Sequence, residues 1–103
     1  MKVYTIENIP GMEYEALGLV KGNVVRAKHI GRDIMAGFKN LAGGEIKSYT
    51  DMLAESREIA TERMIAEAEA LGADAVVGVR FQASSVMEST SEIIAFGTAV
   101  KVK

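Results

Sequence analysis

The sequence predicts an α+β domain in which an antiparallel sheet packs against one long helix, and three observations support this class. One segment of 27 residues, 45–71, repeats apolar residues at helical spacing without an internal glycine or proline. Two segments before it and two after it have the composition of strands. The predicted order is β-β-(short α)-α-β-β, in one domain that covers residues 1–103.

Two strands and a turn precede the helical part. Lys2–Ile6 alternates and contains Val, Tyr, Thr and Ile, which predicts a short strand. Pro10-Gly11 is typical of a turn, because proline fixes φ and glycine accepts a positive φ. Tyr14–Ala27 is the next predicted strand, and its interruption by Gly18 and by Gly22-Asn23 predicts a bulge or a tight hairpin.

The helical part follows in two pieces. Lys28–Ala42 has one turn of helical spacing, which predicts a short helix or an irregular loop that ends at Gly43-Gly44. The long helix begins near Gly44 or Glu45, and the Glu45 carboxylate suits the positive end of the helix dipole. Gly72 ends the helix by adopting the left-handed conformation. The apolar stripe of this helix contains Ile46, Tyr49, Leu53, Ala60, Met64, Ala68 and Leu71.

Two strands complete the chain, Ala75–Phe81 and Glu92–Val102, joined by the polar connection Ser84–Ser91. Alternation divides the last strand into a face with large side chains, Ile94, Phe96, Val100 and Val102, and a face with smaller ones, Ile93, Ala95, Gly97 and Ala99. A helix about 40 Å long covers only one face of the sheet. Either the face with the smaller side chains or the edges of the strands then stay uncovered. Because such surfaces favour association with another chain, we expect a homo-oligomer.

Composition excludes several classes of function. A net charge of −2 argues against nonspecific nucleic-acid binding, and the chain has no apolar run of about 18 residues that could span a membrane. Without cysteine and without the apolar core of a signal peptide, a cytoplasmic protein is expected. Charge is segregated, since segment 21–47 is basic and segment 51–74 is acidic. This pattern indicates either two solvated faces or a contact between neighbouring subunits.

Motifs along the whole chain carry a family resemblance. They are Arg32-Asp33-x-x-Ala36-Gly37-x-x-Asn40-x-x-Gly43-Gly44-Glu45, Tyr49-Thr50, the run from Leu71 to Phe81, Ser91-Glu92-Ile93 and Gly97-Thr98-Ala99-Val100. The sequence resembles the YbjQ-like family of small bacterial and archaeal proteins, whose description names heavy-metal binding. The resemblance implies an α+β subunit in a ring-like homo-oligomer, in this family a pentamer, and it implies no settled function.

The residues themselves supply few metal ligands. Soft metal ions favour cysteine, histidine and thioether ligands, and a closed zinc site needs four protein ligands. His29 is the only histidine, so a metal site would need His29 and carboxylates from several subunits; otherwise His29 is a surface residue. The six methionines are scattered, and Met64 lies on the helical stripe, which favours core packing over copper binding. No cofactor is predicted.

The best candidate site would bind an anion or another polar ligand. Arg26, Lys28 and Arg32 precede a glycine-flanked helix start at Gly43-Gly44, where exposed N–H groups favour negative charge. Alternatively, the glycines only permit a tight turn, while Arg32 and Asp33 make local ion pairs or cap a turn. Glu45 would also oppose a phosphate at the helix start. Arg80 lies within an apolar strand and needs a partner, for which the candidates are Asp33, Glu45 and Glu92, within or across subunits.

No catalytic residue emerges, since no serine has an elbow motif around it and the chain has one histidine. We therefore expect a non-enzymatic homo-oligomer that binds a small polar or anionic ligand near its subunit interfaces. One alternative is a metal-binding or metal-stress protein that uses His29 and carboxylates from several subunits. Another is a structural or partner-binding ring without a small ligand.

Overall fold

In the computed structural model, a four-stranded sheet is covered on one face by a long helix, which confirms the α+β class. The structure describes residues 1–27, 41–42, 45–87 and 90–103, with the side chains of 1–27, 49–87 and 90–103. The strands are β1 (Lys2–Val3), β2 (Tyr14–Ala27), β3 (Leu41–Ala42), β4 (Glu45–Ile46), β5 (Ala75–Met87) and β6 (Thr90–Val102), and the helix is α1 (Lys47–Ala70). A short helix or an irregular loop was predicted over 28–42. Residues 28–40 of this segment lie outside the described residues, and Leu41–Ala42 form β3.

The sheet is mixed, with the strand order β1-β5-β6-β2, and β3 pairs with β4 in a separate two-stranded hairpin. Strands β5, β6 and β2 are antiparallel, whereas β1 runs parallel to β5, with Lys2 opposite Ala75. The prediction of a wholly antiparallel sheet was therefore wrong at this edge. Local alternation predicts strands but not their direction, and this pairing joins strands that lie far apart in the sequence.

The prediction of a polar connection over Ser84–Ser91 was also wrong. Strand β5 continues to Met87, β6 begins at Thr90, and the two strands stay paired as far as Met87 and Thr90. Every residue of β5 from Arg80 onward is exposed. Because these side chains do not pack in the core of the subunit, the sequence shows no apolar alternation there, although the backbone remains extended.

The register of the sheet shifts at three places: between Ala16 and Gly18 of β2, between Val77 and Arg80 of β5, and between Ser85 and Met87 of β5. The register between β2 and β6 shifts between Ala16 and Gly18, which confirms the predicted bulge, and Gly18 has a φ of 137°. Strand β2 continues through Gly22-Asn23, so the alternative of a hairpin at that position was wrong. A second bulge, which was not predicted, lies between Val77 and Arg80 of β5, where Gly78 has a φ of 64°.

Helix α1 begins two residues later than predicted, because Glu45–Ile46 pairs as a strand with Leu41–Ala42. Glu45 therefore does not lie in the first turn of the helix. The C-terminus follows the prediction: Gly72 has a φ of 79°, and its N–H donates to Glu69 O at 2.9 Å. Leu71 lies beyond the last helical residue and is exposed, so its place in the core stripe was wrong. No helix in the described segments is long and apolar enough to cross a membrane.

The core lies between α1 and the face of the sheet that carries the smaller side chains. It contains Val20, Val24, Ala60, Met64, Ala68, Val76, Val79, Ile93, Ala95 and Ala99. The expectation that the smaller face stays uncovered was wrong, because small residues on both sides let the helix approach closely. A second cluster, of Ala75, Val77 and Val100, lies on the opposite face beneath Tyr4, Ile9 and Tyr14 of the N-terminal segment.

Candidate functional site

The outer edge of β2 is closed by side chains of α1. The Arg63 guanidinium donates from Nη1 to Asn23 O at 2.7 Å, and the backbone N–H of Lys21 donates to Glu67 Oε1 at 3.2 Å. These bonds satisfy backbone groups that an edge strand would otherwise offer to another chain. One margin of the sheet is therefore protected within the subunit.

Arg26 lies near the end of the same strand and turns toward the helix. Its Nη1 atom is 3.1 Å from Glu55 Oε1, which makes an ion pair between two partly exposed side chains. The orientation does not give a hydrogen bond, and this Nη1 atom is buried without a hydrogen-bond partner among the described residues. Buried donors normally have hydrogen-bond partners, so this Arg26 donor is an exception among the described residues.

Arg80 is held by backbone carbonyls. Its Nη1 atom donates to Thr5 O at 2.8 Å and to Val79 O at 2.9 Å, so the guanidinium fastens the N-terminal segment to β5. Glu92, the one predicted partner whose side chain is described, instead accepts a hydrogen bond from Asn23 Nδ2 at 3.3 Å. Arg80 thus faces the side of the sheet that the N-terminal segment covers, whereas Arg26 faces α1. A single subunit does not bring these two arginines together.

The other predicted site residues are Lys28, His29, Arg32, Asp33, Gly43 and Gly44, which lie outside the described residues, and Glu45, which lies on β4. The described residues do not fit a heavy-metal site. No group of three or more His, Cys, Asp or Glu side chains that could hold a metal ion occurs among them. The sequence also has no cysteine and one histidine, so thiolate ligands are lacking altogether.

The second half of β5 is a feature that sequence reasoning missed. From Arg80 to Met87 this strand has β6 on one side and, among the described residues, no strand on the other. Large apolar side chains are nevertheless exposed there: Phe81 is 50% exposed, Val86 54% and Met87 65%. The available signal was the apolar residues Val86 and Met87 within a segment otherwise typical of a loop.

A groove of about 450 Å³ lies between α1 and Phe81 of this strand. Its helical wall carries Ala54, Arg57, Glu58, Thr61 and Glu62. The groove therefore combines an exposed aromatic ring with two carboxylates and one guanidinium. Such a surface suits a partner that supplies apolar contacts and positive charge.

Comparisons with known proteins agree on a family. A family model described as "Putative heavy-metal-binding" matches residues 1–103. A "UPF0145 protein" from Pseudothermotoga lettingae is 61% identical and covers 100% of this chain and 98% of its own length. Another, from Fervidobacterium nodosum, is 62% identical and covers 100% of this chain and 96% of its own length.

A solved structure shares the fold. It is a crystal structure of a protein of unknown function from Pediococcus pentosaceus, with a TM-score of 0.73 and 16% sequence identity. The match covers 100% of this chain and 98% of the other chain. At this identity the likeness shows the fold alone.

Proposed function

This chain belongs to the YbjQ-like family, and on that premise we propose that it acts without catalysis, as a cytoplasmic homo-oligomer subunit that binds a small polar or anionic ligand near its subunit interfaces. The family resemblance favours five subunits. The observation that carries the proposal is the open edge of β5 from Arg80 to Met87, with which no strand among the described residues pairs. An extended strand with unpaired backbone groups is a template for pairing with another chain.

The apolar side chains on this edge supply the free energy for association. Burying a side chain of the size of Phe81, Val86 or Met87 contributes roughly 1.5–3 kcal/mol, less what is already buried. At the opposite margin, Arg63 and Glu67 already bond to backbone groups of Asn23 and Lys21, which favours the β5 edge for pairing. The radius of gyration is 16.8 Å, whereas a compact domain of this length has about 13 Å. This extended shape also favours a subunit that packs against other subunits.

Charge complementarity favours a second copy of this chain as the partner. Glu58 and Glu62 line the groove beside Phe81. Segment 21–47 carries six basic residues and one histidine against two acidic residues, so it suits this acidic wall. In the proposed interface, the basic segment of one subunit lies against α1 and β5 of the next, which supports a head-to-tail arrangement.

Pairing at the β5 edge is tested by placing charges on it. A Phe81→Lys/Val86→Lys double variant is compared with a Met12→Lys/Leu71→Lys control, which adds the same two charges at exposed apolar residues outside β5. Sedimentation velocity is expected to show smaller species for Phe81→Lys/Val86→Lys only, while circular dichroism shows folded protein for both. An unchanged sedimentation coefficient for Phe81→Lys/Val86→Lys would contradict the proposed interface.

The ligand part of the proposal rests on Arg26, whose buried Nη1 donor lacks a hydrogen-bond partner in the described structure. Arginine pairs strongly with anions such as phosphate. Inorganic phosphate is expected to raise the melting temperature of the unmodified protein and of a Lys2→Ala control, but not of Arg26→Ala or Arg32→Ala. Equal shifts in all four proteins would exclude an anion site that uses these arginines.

A further inference from the structure

A pocket of about 290 Å³ lies between the N-terminal segment, residues 4–14, and the face of the sheet that α1 leaves free. Its walls include Glu7, Tyr14 and Thr98, and its floor includes Val77 and Val100. At about 30 Å³ for each water-sized atom, the pocket admits a ligand of roughly ten non-hydrogen atoms. It is separate from the subunit interface proposed above.

Two bulges shape this pocket. The β2 bulge lies between Ala16 and Gly18, and the β5 bulge lies between Val77 and Arg80, so both strands that flank Thr98 of β6 are bulged beside it. Gly78 has a φ of 64°, and a Cβ atom at this position would approach Glu7 Cγ to 3.8 Å. Bulges redirect side chains and are frequent beside binding sites.

The wall formed by the N-terminal segment is held in place by hydrogen bonds. The Gly78 N–H donates to Ile6 O at 2.8 Å, which ties the segment to the second bulge. The Tyr14 hydroxyl lies 2.6 Å from Asn8 Oδ1 and 3.1 Å from Glu7 O. The pocket is therefore formed before any ligand arrives, which lowers the entropic cost of binding.

The chemistry of the lining selects a cation. Among the described lining residues only Glu7 carries a charge, and neither its carboxylate nor the Thr98 hydroxyl has a hydrogen bond or ion pair to a described residue. Arg80, on the same face, is turned to the carbonyls of Thr5 and Val79 instead. A carboxylate, a hydroxyl acceptor and an aromatic ring together recognise an ammonium group, and the valine floor suits a short alkyl chain.

We propose that this pocket binds a small organic ammonium ion, with its charge against the Glu7 carboxylate and its alkyl part on Val77 and Val100. The ring of Tyr14 and the hydroxyl of Thr98 complete the site. An organic anion of the same size is disfavoured, because Glu7 would repel it and none of the described lining residues carries a positive charge.

The test follows the Gly78 and Thr98 amide signals in ¹H–¹⁵N TROSY spectra while n-propylammonium chloride is added to the full-length protein. Saturable shifts are expected with n-propylammonium and not with sodium propionate at equal ionic strength. Glu7→Gln is expected to weaken binding about tenfold, since it removes a charged partner. Glu15→Gln, which neutralises an exposed carboxylate outside the pocket, is the matched control and is expected to bind as the unmodified protein does.

Each alternative outcome overturns the proposal. Equal shifts with propionate would show nonspecific binding, and an unchanged affinity in Glu7→Gln would show that the carboxylate is not the partner. Equal weakening in Glu15→Gln would indicate general electrostatic attraction. Because the oligomeric state is measured separately by sedimentation, failure here leaves the proposed interface at β5 standing.

Discussion

Gly22 of β2 lies directly against the backbone of Ala60 in α1. A Cβ atom built on Gly22 would overlap the carbonyl oxygen of Ala60 and would lie 2.5 Å from the backbone nitrogen of Met64. Both neighbours are backbone atoms of the helix, so they cannot move aside as the end of a flexible side chain would. The glycine therefore determines how closely α1 approaches the sheet.

We predict that Gly22→Ala lowers the free energy of unfolding by about 1–3 kcal/mol, because the helix must move away from the sheet. Urea denaturation at a fixed subunit concentration measures the change. Ala27→Val, which enlarges an exposed side chain on the same strand, is the control and is expected to change stability by less than about 0.5 kcal/mol. Equal effects of the two substitutions would refute the close contact.

The second prediction concerns Met64, which is fully buried between α1 and the sheet. Met64→Ala leaves a cavity and is expected to cost about 2–5 kcal/mol, whereas Met64→Leu conserves volume and is expected to cost less than about 1.5 kcal/mol. Thermal and urea unfolding distinguish the two. A large loss with leucine as well would mean that the thioether itself is required, against the packing role.

The third prediction concerns the end of α1. Gly72 has a φ of 79°, and the N–H of Ala73 donates to Ala68 O at 3.0 Å, which completes the helix cap. Gly72→Ala is expected to cost about 1–2 kcal/mol, and Gly72→Asn less, because asparagine adopts the left-handed conformation more readily. The order of the melting temperatures checks this, and an alanine variant as stable as the unmodified protein would contradict it.

The fourth prediction concerns metal ions. Because no described cluster of side chains fits a metal and the chain has a single histidine, ZnCl2 is expected to leave the melting temperature unchanged. His29→Ala is expected to behave as the unmodified protein does. A zinc-dependent rise that disappears in His29→Ala would instead establish a site shared between subunits.

Helix ends and bulges could be predicted from the sequence where a glycine with a characteristic backbone preference lies at them. Gly72 after a long amphipathic segment predicted the helix end, and Gly18 predicted a bulge. The second bulge could not be predicted in the same way, because Gly78 lies in a run of valines that continues as a strand on both sides. The second bulge has a large effect, because it places the Val79 side chain on the helix-covered face together with Val76. Regular alternation would have placed Val79 on the opposite face together with Val77.

The candidate site shows the limit of local reasoning more clearly. Arg80 donates to the carbonyl of Thr5 and Arg26 forms an ion pair with Glu55, and each of these partners lies far away in the chain. The bond from Arg80 to Thr5 depends on the parallel pairing of β1, which has no local signal. The pocket beside Glu7 likewise depends on this long-range pairing.

The number of subunits in solution tests directly whether the chain assembles through the open edge of β5. Native mass spectrometry of the unmodified protein, diluted to micromolar concentration, is the measurement. We predict one main species whose mass is a multiple of the 11.1 kDa chain, five-fold by the family resemblance. A folded species of 11.1 kDa as the main component would contradict the account.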